Sequence, residues 1–195
     1  MQLLTFSSDL VFDGQTSRPY IEADAVSPLN RYGLSKAEAE RIVRDLLDSA
    51  LIIRTSSFFG PWDEYNFVSL ALRTLAAGQV FRAAADVVMS PTYVPDLVNA
   101  SLDLLIDEAS GVWHLSNAGE ISWAALAEKA AAMAQISTST LDACRLSDLG
   151  LPASRPRYSP LNSQLGRIMP PLDDALTHYM LTRSPIVQSA QPLAA

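Results

Sequence analysis

Two side chains in residues 27–47 have the types and the spacing needed for proton transfer. Tyr32 and Lys36 are four residues apart, which places a phenol and an ammonium on one face of a helix, about one turn from each other. A nearby ammonium lowers the pKa of the phenol towards the range in which it can donate a proton to a developing alkoxide. Exposed helices also carry such pairs by chance, and the pair alone favours a surface tyrosine beside a solvated lysine.

A cluster of hydroxyl groups precedes this pair and changes its interpretation. Ser7, Ser8 and Asp9 directly follow the apolar residues 3–6, so we expect them at the C-terminal end of a buried strand, where parallel α/β sheets bind ligands. A turn or a helix cap is the structural alternative for one of the two serines. The cluster and the Tyr-Lys pair together predict a catalytic centre.

The elements that must position these groups alternate between strand and helix. Residues 3–6, 51–56 and 112–115 predict strands. We expect a first helix capped by Ser27 with Pro28 at its first position, and further helices over 67–75, after Pro95, after the cap Ser122 and over 172–181. The proline-rich stretch 150–171 predicts a loop. This order indicates an α/β fold with a parallel sheet and a smaller α/β region built onto it. We divide it into 1–60, 61–183 and a disordered tail over 184–195.

Composition excludes several classes of protein. The chain of 195 residues has a net charge of −7 with scattered basic residues, which argues against nucleic acid as a partner. No apolar run approaches the length that spans a bilayer, and the first residues do not resemble a signal peptide, so we expect a cytoplasmic protein without a membrane partner. A single cysteine and two isolated histidines predict no metal site. Trp113 and Trp123 are expected in the core.

Several motifs in sequence order resemble the dTDP-4-dehydrorhamnose reductase family, a group of extended short-chain dehydrogenases/reductases that act on nucleotide sugars. The resemblance covers about residues 3–181. It is carried by Ser7-Ser8-Asp9 with Val11-Phe12-Asp13-Gly14, Tyr32-Gly33-Leu34-Ser35-Lys36, Arg54-Thr55-Ser56, Asn66-Phe67-Val68, Ser90-Pro91-Thr92-Tyr93, Trp113-His114-Leu115-Ser116, Gly119-Glu120-Ile121-Ser122-Trp123 and Arg155-Pro156.

The resemblance implies hydride transfer from NADPH or NADH to the 4-keto group of a nucleotide-linked deoxysugar. Tyr32 would deliver the proton, Ser8 would hydrogen-bond the substrate carbonyl, and Lys36 would tune Tyr32 and hold the nicotinamide ribose. The remaining implied contacts are Ser7, Arg54, Thr55 and Ser56 to the cofactor, together with Tyr32 and Lys36, and Ser8, Asp9, Asn66, Ser90, Thr92 and Arg155 to the nucleotide sugar.

The sequence departs from the family at its beginning. The glycine-rich turn that binds the pyrophosphate has no counterpart in this chain, so the sequence predicts a partial Rossmann-like sheet, and a separate or upstream dinucleotide-binding half becomes an expected partner. Homo-oligomerisation is left open. Two alternatives remain: a non-catalytic regulatory or binding subunit, and a related nucleotide-sugar epimerase or dehydratase. Leu10 and Ser57 stand where the family usually has aromatic residues, which leaves the sugar open.

Overall fold

The computed structural model describes residues 2–183, so the tail predicted over 184–195 lies outside the described residues. None of the helices in the described part has both the length and the apolar character needed to cross a membrane. Residues 2–183 form nine strands and five α-helices: β1 (Leu4–Ser8), α1 (Arg31–Leu46), β2 (Leu51–Thr55), β3 (Phe58–Phe59), α2 (Phe67–Ala76), β4 (Phe81–Ala84), β5 (Val88–Met89), β6 (Thr92–Tyr93), α3 (Val94–Ile106), β7 (Gly111–His114), β8 (Ile121–Ser122), α4 (Trp123–Met133), β9 (Leu141–Cys144) and α5 (Leu172–Thr182).

A three-stranded parallel sheet in the order β1-β2-β7 forms the centre of the fold. Every residue of the middle strand β2 is buried, as expected for a strand that neighbours on both sides and helices on its faces exclude from water. Strand β1 pairs with β2 and has no second partner strand among residues 2–183. The α/β class with a parallel sheet is therefore confirmed, whereas the division at residue 60 stays a prediction.

The first helix begins later than its sequence predicts. Asn30, rather than Ser27, caps α1, and its side chain accepts a hydrogen bond from the backbone N–H of Gly33 at 2.8 Å. Ser27 instead donates its backbone N–H to the Val11 carbonyl at 2.8 Å, which holds residues 27–30 in the loop before the helix. The predicted start at Pro28 is wrong because asparagine is an equally good cap, and Asn30 rather than Ser27 makes the capping hydrogen bond.

Three small sheets surround the central one, and their strands were not predicted. Strands β3 and β6 pair in parallel, β4 and β9 pair in parallel, and β5 and β8 pair antiparallel. Strands of two to four residues carry too little alternation to be recognised in a sequence. The helices α2, α4 and α5 pack against these sheets around a second apolar core that contains Phe59, Leu72, Leu126 and Leu176.

Candidate active site

A cleft of about 370 Å³ opens at the C-terminal ends of β1 and β2. Parallel strands present their polar termini at this edge of a sheet, which is where α/β folds bind ligands. The cleft brings together eight of the residues that the sequence proposes for the site: Ser7, Ser8, Asp9, Tyr32, Lys36, Thr55, Ser56 and Arg155.

Helix α1 brings Tyr32 and Lys36 to the cleft. The ammonium of Lys36 lies 5.8 Å from the centre of the Tyr32 ring and donates to the Phe6 carbonyl at 3.1 Å. The Tyr32 side chain is half exposed, at 53%, so its hydroxyl is open to a ligand. The predicted helical face and one-turn separation are therefore present, and Lys36 in addition links α1 to β1.

Gly33 allows α1 to approach the turn after β1 closely. A Cβ at this position would lie 2.0 Å from the carbonyl oxygen of Leu10, a distance that no side-chain rotation can relieve, because both atoms are fixed by the backbone. The turn Asp9–Val11, a short 3₁₀ helix, directly follows Ser8. Only glycine at position 33 therefore lets the helix with Tyr32 and Lys36 pack on the segment with Ser8.

The Ser8 hydroxyl is held by its own chain. It accepts the backbone N–H of Leu10 at 3.1 Å and donates to Asp9 Oδ1 at 3.1 Å. The other carboxylate oxygen, Asp9 Oδ2, accepts from Ser159 Oγ at 2.6 Å. Burial raises the pKa of the Asp9 carboxyl, against the serine hydroxyls that donate to it and lower its pKa. In contrast, the buried Ser7 Oγ has no hydrogen-bond partner within residues 2–183.

The wall of the cleft that faces Ser7 and Ser8 is formed by Arg155 and Trp123, with the guanidinium over the indole ring. The guanidinium carbon of Arg155 lies 5.9 Å from the centre of the Trp123 ring, and Arg155 Nε has no partner within the described chain. Trp123 packs against the core around α2 and α4 and also lines the cleft. The predicted core position of Trp123 is therefore only partly correct, because its side chain also lines the cleft.

Arg54 and Thr92 lie outside the cleft. Arg54 forms a buried bidentate ion pair with Glu40, at 2.9 and 2.6 Å, and its third nitrogen lies 3.3 Å from His114 Nε2. Thr92 is fully buried, and its hydroxyl accepts from Thr55 Oγ1 at 3.1 Å. In this structure Arg54 joins α1 to the sheet, and Thr92 supports Thr55 from behind.

Asn66 and Ser90 also lie away from the cleft. Asn66 caps α2, because its side-chain oxygen accepts from the Ser69 N–H at 3.0 Å. Ser90 donates to the Gly119 carbonyl at 2.8 Å and lines a separate cavity of about 270 Å³. Both side chains thus have a structural function in the isolated chain.

Within residues 2–183, no group of three or more His, Cys, Asp and Glu side chains has the geometry of a metal site. The single cysteine, Cys144, is a free thiol in β9.

Comparison with known families agrees with this geometry. The model of the RmlD substrate binding domain matches residues 1–170. The chain belongs to this family. A curated relative from Haloferax volcanii, the probable low-salt glycan biosynthesis reductase Agl14, is 32% identical over 180 residues, which cover 88% of this chain and 60% of that protein. The dTDP-4-keto-6-deoxy-D-glucose reductase of Streptomyces niveus is 37% identical over 128 residues, 65% of this chain and 44% of that protein.

The solved structures include a dTDP-4-dehydrorhamnose reductase from Bacillus anthracis in complex with NADP. It superimposes with a TM-score of 0.87 at 30% identity and covers 92% of this chain and 65% of its own. The chain thus spans about 60% of the length of the H. volcanii relative and less than two thirds of this structure.

Two residues that line the cleft, Ser159 and Trp123, were not predicted as site residues from the sequence. Ser159 is 150 residues from its partner Asp9, and no local pattern signals that distance. Trp123 follows the helix cap Ser122 and so has the pattern of a buried helical residue. A sequence signal does exist for Ser159, since it lies four residues after the proposed ligand Arg155.

Proposed function

We propose that this chain is the substrate-binding and proton-donating part of a nicotinamide-dependent reductase that reduces the 4-keto group of a nucleotide-linked deoxysugar. One observation carries the proposal: a single cleft holds the Ser8 hydroxyl, the Tyr32–Lys36 pair and the Arg155 guanidinium. The first three groups suit a carbonyl that becomes an alkoxide, and the guanidinium suits the anionic diphosphate of the substrate. The reductase names of the relatives support the same reaction.

Each catalytic group has a role that follows from its chemistry. On substrate binding, the Ser8 hydroxyl turns its single proton from Asp9 Oδ1 to the carbonyl oxygen, to which it donates a hydrogen bond, and so polarises the carbonyl. Tyr32 donates its proton to the oxygen as negative charge develops there. Lys36 stabilises the resulting phenolate by its positive charge. The reduced nicotinamide, when bound, supplies the hydride.

The described residues fit the nicotinamide end of such a cofactor. Ser7 Oγ is buried without a partner at the cleft, and the Lys36 ammonium beside it has a capacity for three hydrogen bonds, of which one goes to Phe6. We propose that these two side chains hold the amide and ribose of NADPH or NADH, with Thr55 and Ser56 adjacent. Arg54 keeps its ion pair with Glu40 in this proposal and does not touch the cofactor.

A dinucleotide-binding half is needed for the other end of the cofactor. The sequence has no glycine-rich turn to approach a pyrophosphate. Strand β1 offers an unpaired edge among residues 2–183, beside which the apolar side chains of Leu3 and Phe6 are each 39% exposed. A parallel strand of a dinucleotide-binding unit would satisfy this edge and cover these side chains. We propose that this unit is supplied either upstream or by another chain.

The test is turnover of dTDP-4-keto-6-deoxyglucose with NADPH, measured for the chain alone and together with the N-terminal third of a longer reductase relative. We expect activity only in the second case, and a loss of about 10²–10⁴-fold in kcat for Tyr32→Phe. Tyr65→Phe is the matched control, because Tyr65 is 80% exposed and does not line the cleft. Equal rates for Tyr32→Phe and the unsubstituted chain would contradict the assignment of Tyr32.

A non-catalytic binding subunit is the second candidate, favoured by the absence of a glycine-rich turn from the sequence. It predicts that the chain binds dTDP-glucose through Arg155 and never turns over a keto sugar, whatever half is added. Calorimetric titration with dTDP-glucose, combined with the turnover assay, separates the two candidates. Binding that is lost in Arg155→Ala without any turnover would favour the binding subunit.

A further inference from the structure

Residues 154–160 carry Arg155 and are tied to the β1 side of the cleft at several points. Asn30 Nδ2 donates to the Ser154 carbonyl at 2.8 Å, and Ser159 Oγ donates to Asp9 Oδ2 at 2.6 Å. Pro156 lies so close to Gly14 that a Cβ on Gly14 would be 2.9 Å from Pro156 Cβ. The segment that bears Arg155 is therefore docked on the residues that follow the Ser8 strand and on the cap of α1.

Asp9 lies between the two walls of the cleft, that of Ser8 and that of Arg155. Its side chain is buried, with 6% of the residue exposed, and it forms no ion pair with any cation of residues 2–183. Burial of a carboxylate without a cation is costly, and only hydrogen bonds offset it here. Those bonds come from hydroxyl groups on both walls, with Ser8 on Oδ1 and Ser159 on Oδ2.

We propose that Asp9 and Ser159 are positioning residues, and that the Ser159–Asp9 hydrogen bond sets the separation between the Ser8 hydroxyl and the Arg155 guanidinium. The inference rests on the proposed function, in which Ser8 and Arg155 contact the two ends of one nucleotide sugar. It adds Ser159 to the site and changes the role of Asp9, whose two oxygens are both engaged by serines and are not free for the substrate.

Different substitutions of Asp9 separate the loss of its negative charge from the loss of its hydrogen bonds. In Asp9→Asn, the amide oxygen can still accept from Ser8, and the amide nitrogen can donate to Ser159 Oγ with its hydroxyl reversed. This variant therefore keeps both links and loses the charge. Asp9→Ala and Ser159→Ala break the link between the walls.

A matched control lies four residues further along the chain. Ser163 Oγ donates to Glu22 Oε1 at 2.6 Å, the same length as the Ser159–Asp9 bond, and Ser163 does not line the cleft. Ser163→Ala thus removes a hydrogen bond of the same chemistry from a position just after residues 154–160. Any general effect of losing a serine–carboxylate bond appears in both variants.

The first measurement is calorimetric binding of dTDP-glucose to the full chain and its variants. We expect Ser159→Ala and Asp9→Ala to weaken binding by about tenfold, with Asp9→Asn and Ser163→Ala within about twofold of the parent. If the parent binds and all four variants bind equally well, the positioning role is refuted and the proposed function stands.

The second measurement needs no ligand, so it separates this inference from the proposed function. In a Trp62→Phe, Trp113→Phe background, the fluorescence of Trp123 reports on its contact with Arg155. We expect a shifted emission maximum in Ser159→Ala and an unchanged one in Ser163→Ala and Asp9→Asn. An unchanged spectrum in Ser159→Ala overturns the inference even if dTDP-glucose does not bind to the chain.

Discussion

Gly33→Ala should separate helix α1, which carries Tyr32 and Lys36, from strand β1, which carries Ser8. The added Cβ would lie 2.0 Å from Leu10 O, whereas real contacts of this kind are rarely below about 3 Å, so α1 has to move by about 1 Å. Such overpacking costs about 1–3 kcal/mol, and the better helix propensity of alanine returns about 1 kcal/mol. The expected net loss is about 0–2 kcal/mol, which lowers Tm by up to about 8 °C for a domain of this size.

The effect on the chemistry should exceed the effect on stability. A displacement of about 1 Å at a reacting group can cost about 10²-fold in rate, because Tyr32 and Lys36 move with the helix while Ser8 stays on β1. The assays are thermal unfolding by circular dichroism and turnover in the reconstituted reductase.

Ser35→Ala is the control, since Ser35 is exposed on the same helix and donates only to the Tyr32 carbonyl at 2.8 Å. The close-approach argument fails if Gly33→Ala has the stability and the rate of Ser35→Ala.

Two further predictions concern the buried network behind the cleft. Glu40→Ala leaves the buried Arg54 without its carboxylate partner and should cost about 3–5 kcal/mol, measured by urea unfolding. Glu38→Ala breaks an exposed pair with Arg41 and should cost far less; comparable losses would contradict the assigned burial. Burial lowers the pKa of His114, so the unfolded chain takes up this proton first as the pH falls through about 6.5, and the folded state loses stability from about pH 7.5 downwards until His114 is protonated in the folded state as well. His114→Gln should reduce this dependence, and an identical pH profile of the unfolding free energy would refute it.

Local sequence is a good guide to the elements that position the site. Strand β2 with its apolar run Leu51–Ile53, the periodic helices α2 and α3 and the cap Ser122 can each be recognised from a few neighbouring residues. The sequence places the start of α1 too early, because Ser27 and Asn30 are equally good caps by residue type. In the structure the Asn30 side chain makes the capping hydrogen bond, and Ser27 lies in the loop before the helix.

The sequence by itself determined the α/β class, the Tyr32–Lys36 pair and the serines at the end of the first strand, since these depend on residue type and short spacing. Only the tertiary structure decided that Arg54, Asn66, Ser90 and Thr92 face away from the cleft, and that Ser159 meets Asp9 across 150 residues. A motif records which residues are near in the chain. Which of their side chains share a cavity depends on packing between distant elements, which no local spacing encodes.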